Sequence, residues 1–265
     1  MSCELHVVDA FTGHPFRGNP AGVCIMNGPA DPGWMQQVAA ELKHSETAFL
    51  FPGPSAGQWN LRWFTPVKEV EICGHATLAS AHVLWSAGHA APGSTLSFST
   101  LSGTLTAKQD GDWIELDFPA EPACGIPTVP GLEHALGAAP VFTGKNKFDL
   151  LAELPTASDV CDCEPDLAVL ATLPARGIIV TAPADLPDVD FVSRFFAPSV
   201  GIPEDPVTGS AHCCLGPYWG EKLGKATMTG FQCSERGGTV RVTLSGDRVL
   251  LAGHAVEVFS GTLRA

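Results

Sequence analysis

Basic residues are scarce in this chain: Lys and Arg number 15 against 28 Asp and Glu, a formal charge of −13. They form no cluster able to neutralise a run of phosphates, which argues against sequence-independent nucleic-acid binding. Long apolar runs are also missing. No stretch of 18 or more apolar residues occurs, so no membrane span is expected. Met1 to His6 lacks the basic segment and apolar run of a secretory signal. Charged residues make up only 16% of the chain against 45% hydrophobic, the balance of a compact soluble globule. The nine cysteines are an odd number without the spacing of a disulfide framework. With no signal, the expectation is reduced thiols in the cytoplasm.

What is present is punctuation and repetition. Twenty-eight glycines and 22 prolines are dispersed along 265 residues, the pattern of many short strands joined by tight turns. Arg62-Trp63-Phe64-Thr65-Pro66 recurs as Arg194-Phe195-Phe196-Ala197-Pro198. Cys73-Gly74-His75-Ala76 recurs as Thr208-Gly209-Ser210-Ala211, and Phe11-Thr12-Gly13 as Phe142-Thr143-Gly144. The offsets are 132, 135 and 131 residues, in one order along the chain. Three echoes at nearly one offset argue for duplicated half-molecules. The reading is an N-terminal lobe over 1–120 and a C-terminal lobe over 130–254, with a last strand near 255–265 placed to return to the first. Pro119 to Pro130 is the candidate linker.

Helical spacing runs from Trp34 to Leu42 behind an Asp31-Pro32 start, and Ala76 to Ala87 is rich in helix formers with Gly88 at its end. A helix is expected near Pro165 to Thr172. Another spans Ala211 to Leu223, which Pro217 should kink or divide in two. Many strands with one well-formed helix per half describe an α+β fold with two similar lobes.

Each Gly-x-Ala turn joins a strand to a helix start. Such a start leaves backbone N–H groups open and carries partial positive charge, so it suits a carboxylate; each glycine alone would equally serve a tight turn. Proton-carrying residue types flank both turns: Cys73 and His75 at the first, Asp205, Thr208, Ser210 and His212 at the second. Cys73-x-His75 has no partner pair at metal-ligand spacing, and neither Cys161-x-Cys163 nor Cys213-Cys214 forms one, so no metal is expected.

Five stretches in order carry a resemblance: Asp9-Ala10-Phe11-Thr12 with Gly18-Asn19-Pro20-Ala21-Gly22-Val23, Ser45-Glu46-Thr47-Ala48-Phe49, Phe64-Thr65-Pro66, Cys73-Gly74-His75-Ala76-Thr77, and Asp205-Pro206-Val207-Thr208-Gly209-Ser210-Ala211-His212. On these the chain closely resembles the phenazine-biosynthesis PhzF-like family, from about residue 5 to the C-terminus. The resemblance implies the diaminopimelate-epimerase-like fold: two pseudo-symmetric lobes, each a mixed β-sheet curled around a central helix, with the site in the cleft between. It also implies an isomerase that moves a proton on a small carboxylic acid without a cofactor, as a cytoplasmic homodimer. The family's acid/base glutamate maps onto Glu46, and its supporting residues onto His75, Asp205 and Ser210. Asn19, Gly74, Thr208 and Gly209 fall where substrate binding is implied.

One carboxylic acid can serve an allylic proton shift if its surroundings are dry, and Glu46 opens the apolar strand Thr47 to Phe51. Cys73 departs from the isomerase pattern. Epimerases of this fold pair two cysteines, and here the second position is Thr208, too weak an acid to act as a second thiolate. A Cys73-dependent epimerase or dehydratase of an amino or imino acid stays open, as does Cys73 as a buried filler. A third reading is a non-catalytic small-acid-binding protein.

Overall fold

The computed structural model describes residues 2–264. The chain forms two compact units: one runs up to Asp117 and resumes at Ala252, the other is Phe118–Leu251.

The first unit begins with strands β1 (Ser2–Ala10) and β2 (Asn19–Ile25), followed by helix α1 (Pro32–Leu42). The Asp31 carboxylate caps α1 by accepting from Trp34 N, and a proline follows it, as the sequence leads one to expect. Strands β3 (Glu46–Pro52), β4 (Gln58–Phe64) and the short β5 (Glu69–Val70) lead to helix α2 (Gly74–Ser86), and β6 (Leu96–Thr100), β7 (Gly103–Asp110) and β8 (Trp113–Pro119) complete this stretch. Antiparallel β1–β2 continues into parallel β2–β3 and antiparallel β3–β4. Parallel strands are covered on both faces, which is why β2 and β3 read as unbroken apolar runs. Ten of the thirteen residues of α2 are buried, the mark of a helix enclosed by its sheet. The final strand, Ala255–Arg264, pairs antiparallel with β1. Gly253, just before it, is held as glycine by Phe11: a Cβ there would lie 2.4 Å from that ring.

The second unit contains β9 (Cys124–Gly125), α3 (Leu132–Leu136), β10 (Phe142–Lys145), β11 (Leu150–Glu153), α4 (Ala157–Cys161), α5 (Leu167–Leu170), β12 (Ile178–Pro183), β13 (Phe191–Phe196), α6 (Gly209–Leu223), β14 (Thr227–Gln232), β15 (Gly238–Ser245) and most of β16 (Arg248–Gly253). Its order repeats the first: β11–β12 is parallel like β2–β3, and β12–β13 antiparallel like β3–β4. Helix α6 takes the place of α2. Gly216 and Gly220 let α6 approach β15, since a Cβ on either would meet Val242 at 2.8 Å or Leu244 at 2.4 Å.

Three expectations need correction. The helix expected over Pro165 to Thr172 is the single turn Leu167–Leu170, capped by Asp166. Pro217 does not divide α6, which runs unbroken from Gly209 to Leu223. A proline lacks the N–H that would bond the carbonyl four residues back, and here Glu121 N donates to that Cys213 oxygen at 3.0 Å instead. The cysteines are not all thiols: Cys161 and Cys233 form a disulfide across 72 residues, a pairing that spacing could not announce.

The duplicated arginines carry a duplicated interaction. Arg62 forks onto Glu69 at 2.7 and 2.8 Å and lies over the Phe64 ring. Arg194 forks onto Glu204 at 2.7 and 2.9 Å and lies over the Phe196 ring. In each half the pair ties the strand leading towards the helix to the stretch of chain between that strand and the helix.

Candidate active site

In the first unit, Cys73 is the N-cap of α2, its backbone extended at φ −152° and ψ 110°. Its carbonyl accepts from Thr77 Oγ1 at 2.6 Å. Gly74 and His75 are the first two helical residues. The imidazole of His75 stands between two reactive groups: Nδ1 lies 3.5 Å from Cys73 Sγ, and Nε2 lies 3.4 Å from Glu46 Oε2. The second distance suits electrostatic contact but exceeds an aligned hydrogen bond. His75 is 4% exposed. Burial, with His44 nearby, pushes its pKa down to about 3, so the ring is neutral near pH 7. A neutral imidazole carries one N–H, so it donates through only one of these two nitrogens.

Sequence spacing offered Cys73-x-His75 no third ligand. The fold supplies one in Glu46, and the three residues offer ligand-type atoms within 4.8 Å of one another. Cys, His and carboxylate are a zinc-type donor set. The imidazole meets its two neighbours through opposite ring nitrogens, Nδ1 towards the sulfur and Nε2 towards the carboxyl. Asn19 opens β2 two residues before Ala21, which lies opposite Glu46, and is fully buried.

In the second unit, Thr208 is the N-cap of α6, with Gly209 and Ser210 its first helical residues. Thr208 Oγ1 donates to Asp205 Oδ2 at 2.6 Å. Gln232 locks this pair: its Oε1 accepts from Thr208 N at 2.9 Å and its Nε2 donates to the Asp205 carbonyl at 2.7 Å. His212 Nδ1 lies 2.8 Å from the Thr208 carbonyl, and burial lowers its pKa to about 4. Since a carbonyl only accepts, Nδ1 carries the hydrogen. Ser210 Oγ accepts from Arg176 Nη2 at 3.0 Å. Arg176 in turn forks onto Asp149 at 2.9 and 2.6 Å, and Asp149 is 1% exposed.

The structure thus brings Glu46, Cys73 and His75 together in one unit, and Asp205, Thr208, Gly209 and Ser210 together in the other. Sequence reading missed Gln232, Asp149 and Arg176. Gln232 and Asp149 carry no local motif. Arg176 had a signal: it lies 131 residues after Ser45, the offset already visible in Phe-Thr-Gly.

Two duplicated α+β halves, each opening its buried helix beside reactive side chains, define a class of two-lobed proteins, and comparison with known proteins agrees. The sequence profile described as "Phenazine biosynthesis-like protein" matches residues 8–261. An uncharacterized isomerase of Halalkalibacterium halodurans is 48% identical over 264 residues, 99% of each chain. A human phenazine biosynthesis-like domain-containing protein is 41% identical over 291 aligned positions that cover both chains in full. The crystal structure of a PhzF-family phenazine biosynthesis protein from Enterococcus faecalis superimposes with a TM-score of 0.95 at 39% identity, covering 100% of both chains. The chain belongs to the phenazine biosynthesis-like family. Among the described residues, no helix is long and apolar enough to cross a membrane.

Proposed function

We propose that this protein is an isomerase that moves a proton on a small carboxylic acid, with Glu46 as the acid/base. The observation that carries this reading is the series Glu46–His75–Cys73 at the start of α2, with the Glu46 side chain only 14% exposed and 3.4 Å from a neutral imidazole. The bacterial relatives' designation as isomerases supports it. In this mechanism the Glu46 carboxylate takes a proton from a carbon conjugated with the substrate's carboxylate and returns it to another carbon. Negative charge that develops meanwhile runs onto the carboxylate. The open N–H groups at Gly74 and His75, and at Gly209 and Ser210, are placed at helix starts that stabilise such charge. His75 stands against the glutamate and positions it, and Asp205, fixed by Thr208, acts beside Ser210 on the substrate, with Asn19 assisting binding. Both proton acceptor and proton donor are side chains of the protein, so no step passes through a resident cofactor. We extend the proposal to a homodimer, which light scattering tests directly.

A second reading keeps Cys73 as the base of an epimerase or dehydratase. It is favoured by one observation, the 3.5 Å approach of its buried sulfur to His75 Nδ1.

Incubation of small unsaturated and 2-amino acids in deuterated water, with NMR detection of deuterium uptake, separates the two. Glu46→Gln should lower uptake by about 10²–10⁴-fold, the usual contribution of a general acid/base, while Cys73→Ala retains it. Loss in Cys73→Ala alone would transfer the role to the thiol. No uptake by wild type from any acid that binds would leave a small-acid-binding protein.

A further inference from the structure

Residues 204–208, which lead into α6, are held almost one by one by chain far from them in sequence. Glu204 receives the fork of Arg194 at 2.7 and 2.9 Å. The Asp205 carbonyl accepts from Gln232 Nε2 at 2.7 Å, and the Pro206 carbonyl accepts from Ser234 Oγ at 2.8 Å. Thr208 N donates to Gln232 Oε1 at 2.9 Å. The grip on Asp205, Pro206 and Thr208 thus comes from Gln232 and Ser234, the two sequence neighbours of Cys233.

The grip on Glu204 leads to the other half of the same disulfide. Arg194 Nη1 donates to the carbonyl of Cys161 at 3.3 Å and to that of Cys163 at 2.5 Å. The Cys161–Cys233 bond therefore joins the two pieces of chain that hold residues 204–208: the end of α4, through Arg194, and the end of β14, through Gln232 and Ser234. It does so where the strand has run out. β14 ends at Gln232, and Cys233 is tied back by its N–H to the Ser193 carbonyl at 2.9 Å. Both cysteines are half-buried at the margin of the second unit's core, within reach of a small thiol, and their Cα atoms lie 5.5 Å apart, a span that a disulfide bridges.

We propose that Cys161–Cys233 is a redox-modification site for a dithiol reductant, and that opening it loosens residues 204–208 and with them the Asp205–Thr208 pair at the start of α6. One thiolate of the reductant attacks a sulfur of the bond, and the other cysteine leaves and takes up a proton. The second thiolate of the reductant then displaces the first cysteine and closes the reductant's own disulfide. Two electrons pass to the protein, and both cysteines end as thiols. Oxidised glutathione runs the exchange in reverse. Reduction removes no hydrogen-bonding group, so the segment is loosened rather than stripped: Gln232 and Ser234 keep their partners but lose the covalent tie to α4.

The test is hydrogen–deuterium exchange by mass spectrometry on the full-length protein, oxidised with glutathione disulfide and then reduced with dithiothreitol. Thiol counting should show two more thiols after reduction. Peptides covering residues 203–212 should then exchange about tenfold faster, as local opening requires, while peptides from β15 and β16 of the same unit stay within about twofold. The double variant Cys161→Ser/Cys233→Ser should show the fast pattern without reductant and ignore its addition. If that variant does not fold, wild type with and without dithiothreitol still decides. Unchanged exchange at 203–212 after two thiols appear would overturn the proposal. So would an equal rise through β15 and β16, which would make the bond a general staple. A bond that never forms in the oxidised protein, or that dithiothreitol leaves intact in the folded one, would also end it. Exchange is read here without any substrate, so neither outcome depends on whether Glu46 moves a proton.

Discussion

His212 gives a quantitative test of how the second helix is held. Its ring is fully buried, Nδ1–H is spent on the Thr208 carbonyl, and Nε2 has no hydrogen-bond partner beside Gly230 and the Phe191 ring. Protonating Nε2 would place a charge in that apolar space, so burial holds the folded pKa near 4 against 6.5 in the unfolded chain. Well above pH 6.5 the ring is neutral in both states and its titration contributes nothing to the pH dependence. Below 6.5 the unfolded chain gains a proton that the folded chain refuses until about pH 4, so stability falls with pH across that window. At about 1.4 kcal/mol per unit, lowering the pH from 7.5 to 5 removes about 2 kcal/mol through this one ring. His212→Asn keeps an N–H donor within reach of the Thr208 carbonyl and abolishes the titration. Urea unfolding followed by tryptophan fluorescence should show wild type losing about 2 kcal/mol more than His212→Asn between these pH values, whatever their difference at pH 7.5. Equal losses would mean that the ring is hydrated or partnered, and would refute the argument.

Two further outcomes follow from packing and covalent links. Gly177→Ala should destabilise the protein by about 1–3 kcal/mol, since the new methyl group collides with the Phe195 ring; an unchanged melting temperature would show that the ring moves aside freely. Thiol titration should count seven thiols after denaturation without reductant, with Cys124 alone reacting fast in the native state, because the other six are buried. Nine thiols would remove the Cys161–Cys233 bond. If the bond is present, its reduction should cost up to about 4 kcal/mol, the loop-closure value for 72 residues.

The parts of this fold that were legible in the sequence are those written locally. Asp31-Pro32 announces α1, the apolar run of Ala76 to Ala87 announces α2, and the repeated Arg-x-Phe announces the duplication. What was not legible depends on distant partners. Pro217 leaves α6 undivided, and Glu121, almost a hundred residues earlier, satisfies the carbonyl that the proline strands. Cys161 finds Cys233 only through the folding of α4 and β14. The candidate site divides the same way. Cys73 and His75 are neighbours in sequence, but Glu46 joins them through β3, and Ser210 acquires Arg176 and Asp149 only once β12 and β11 lie side by side. A short strand such as β9, two residues long, has no periodicity to read at all.

The return of the final strand has a consequence for biosynthesis. The first unit is split, with Ala255–Arg264 pairing along β1 from Ala10 to Ser2. The second unit is one continuous segment. On the ribosome, therefore, the N-terminal β-strands emerge first but wait for their last neighbour until residues 255–264 have followed, while Phe118–Leu251 is synthesised before that strand. During that interval β1 exposes an unpaired edge, which in a nascent chain invites strand exchange with other chains. The order of maturation is then the reverse of the order of synthesis, and a truncation in the final strand should harm the half of the protein made first.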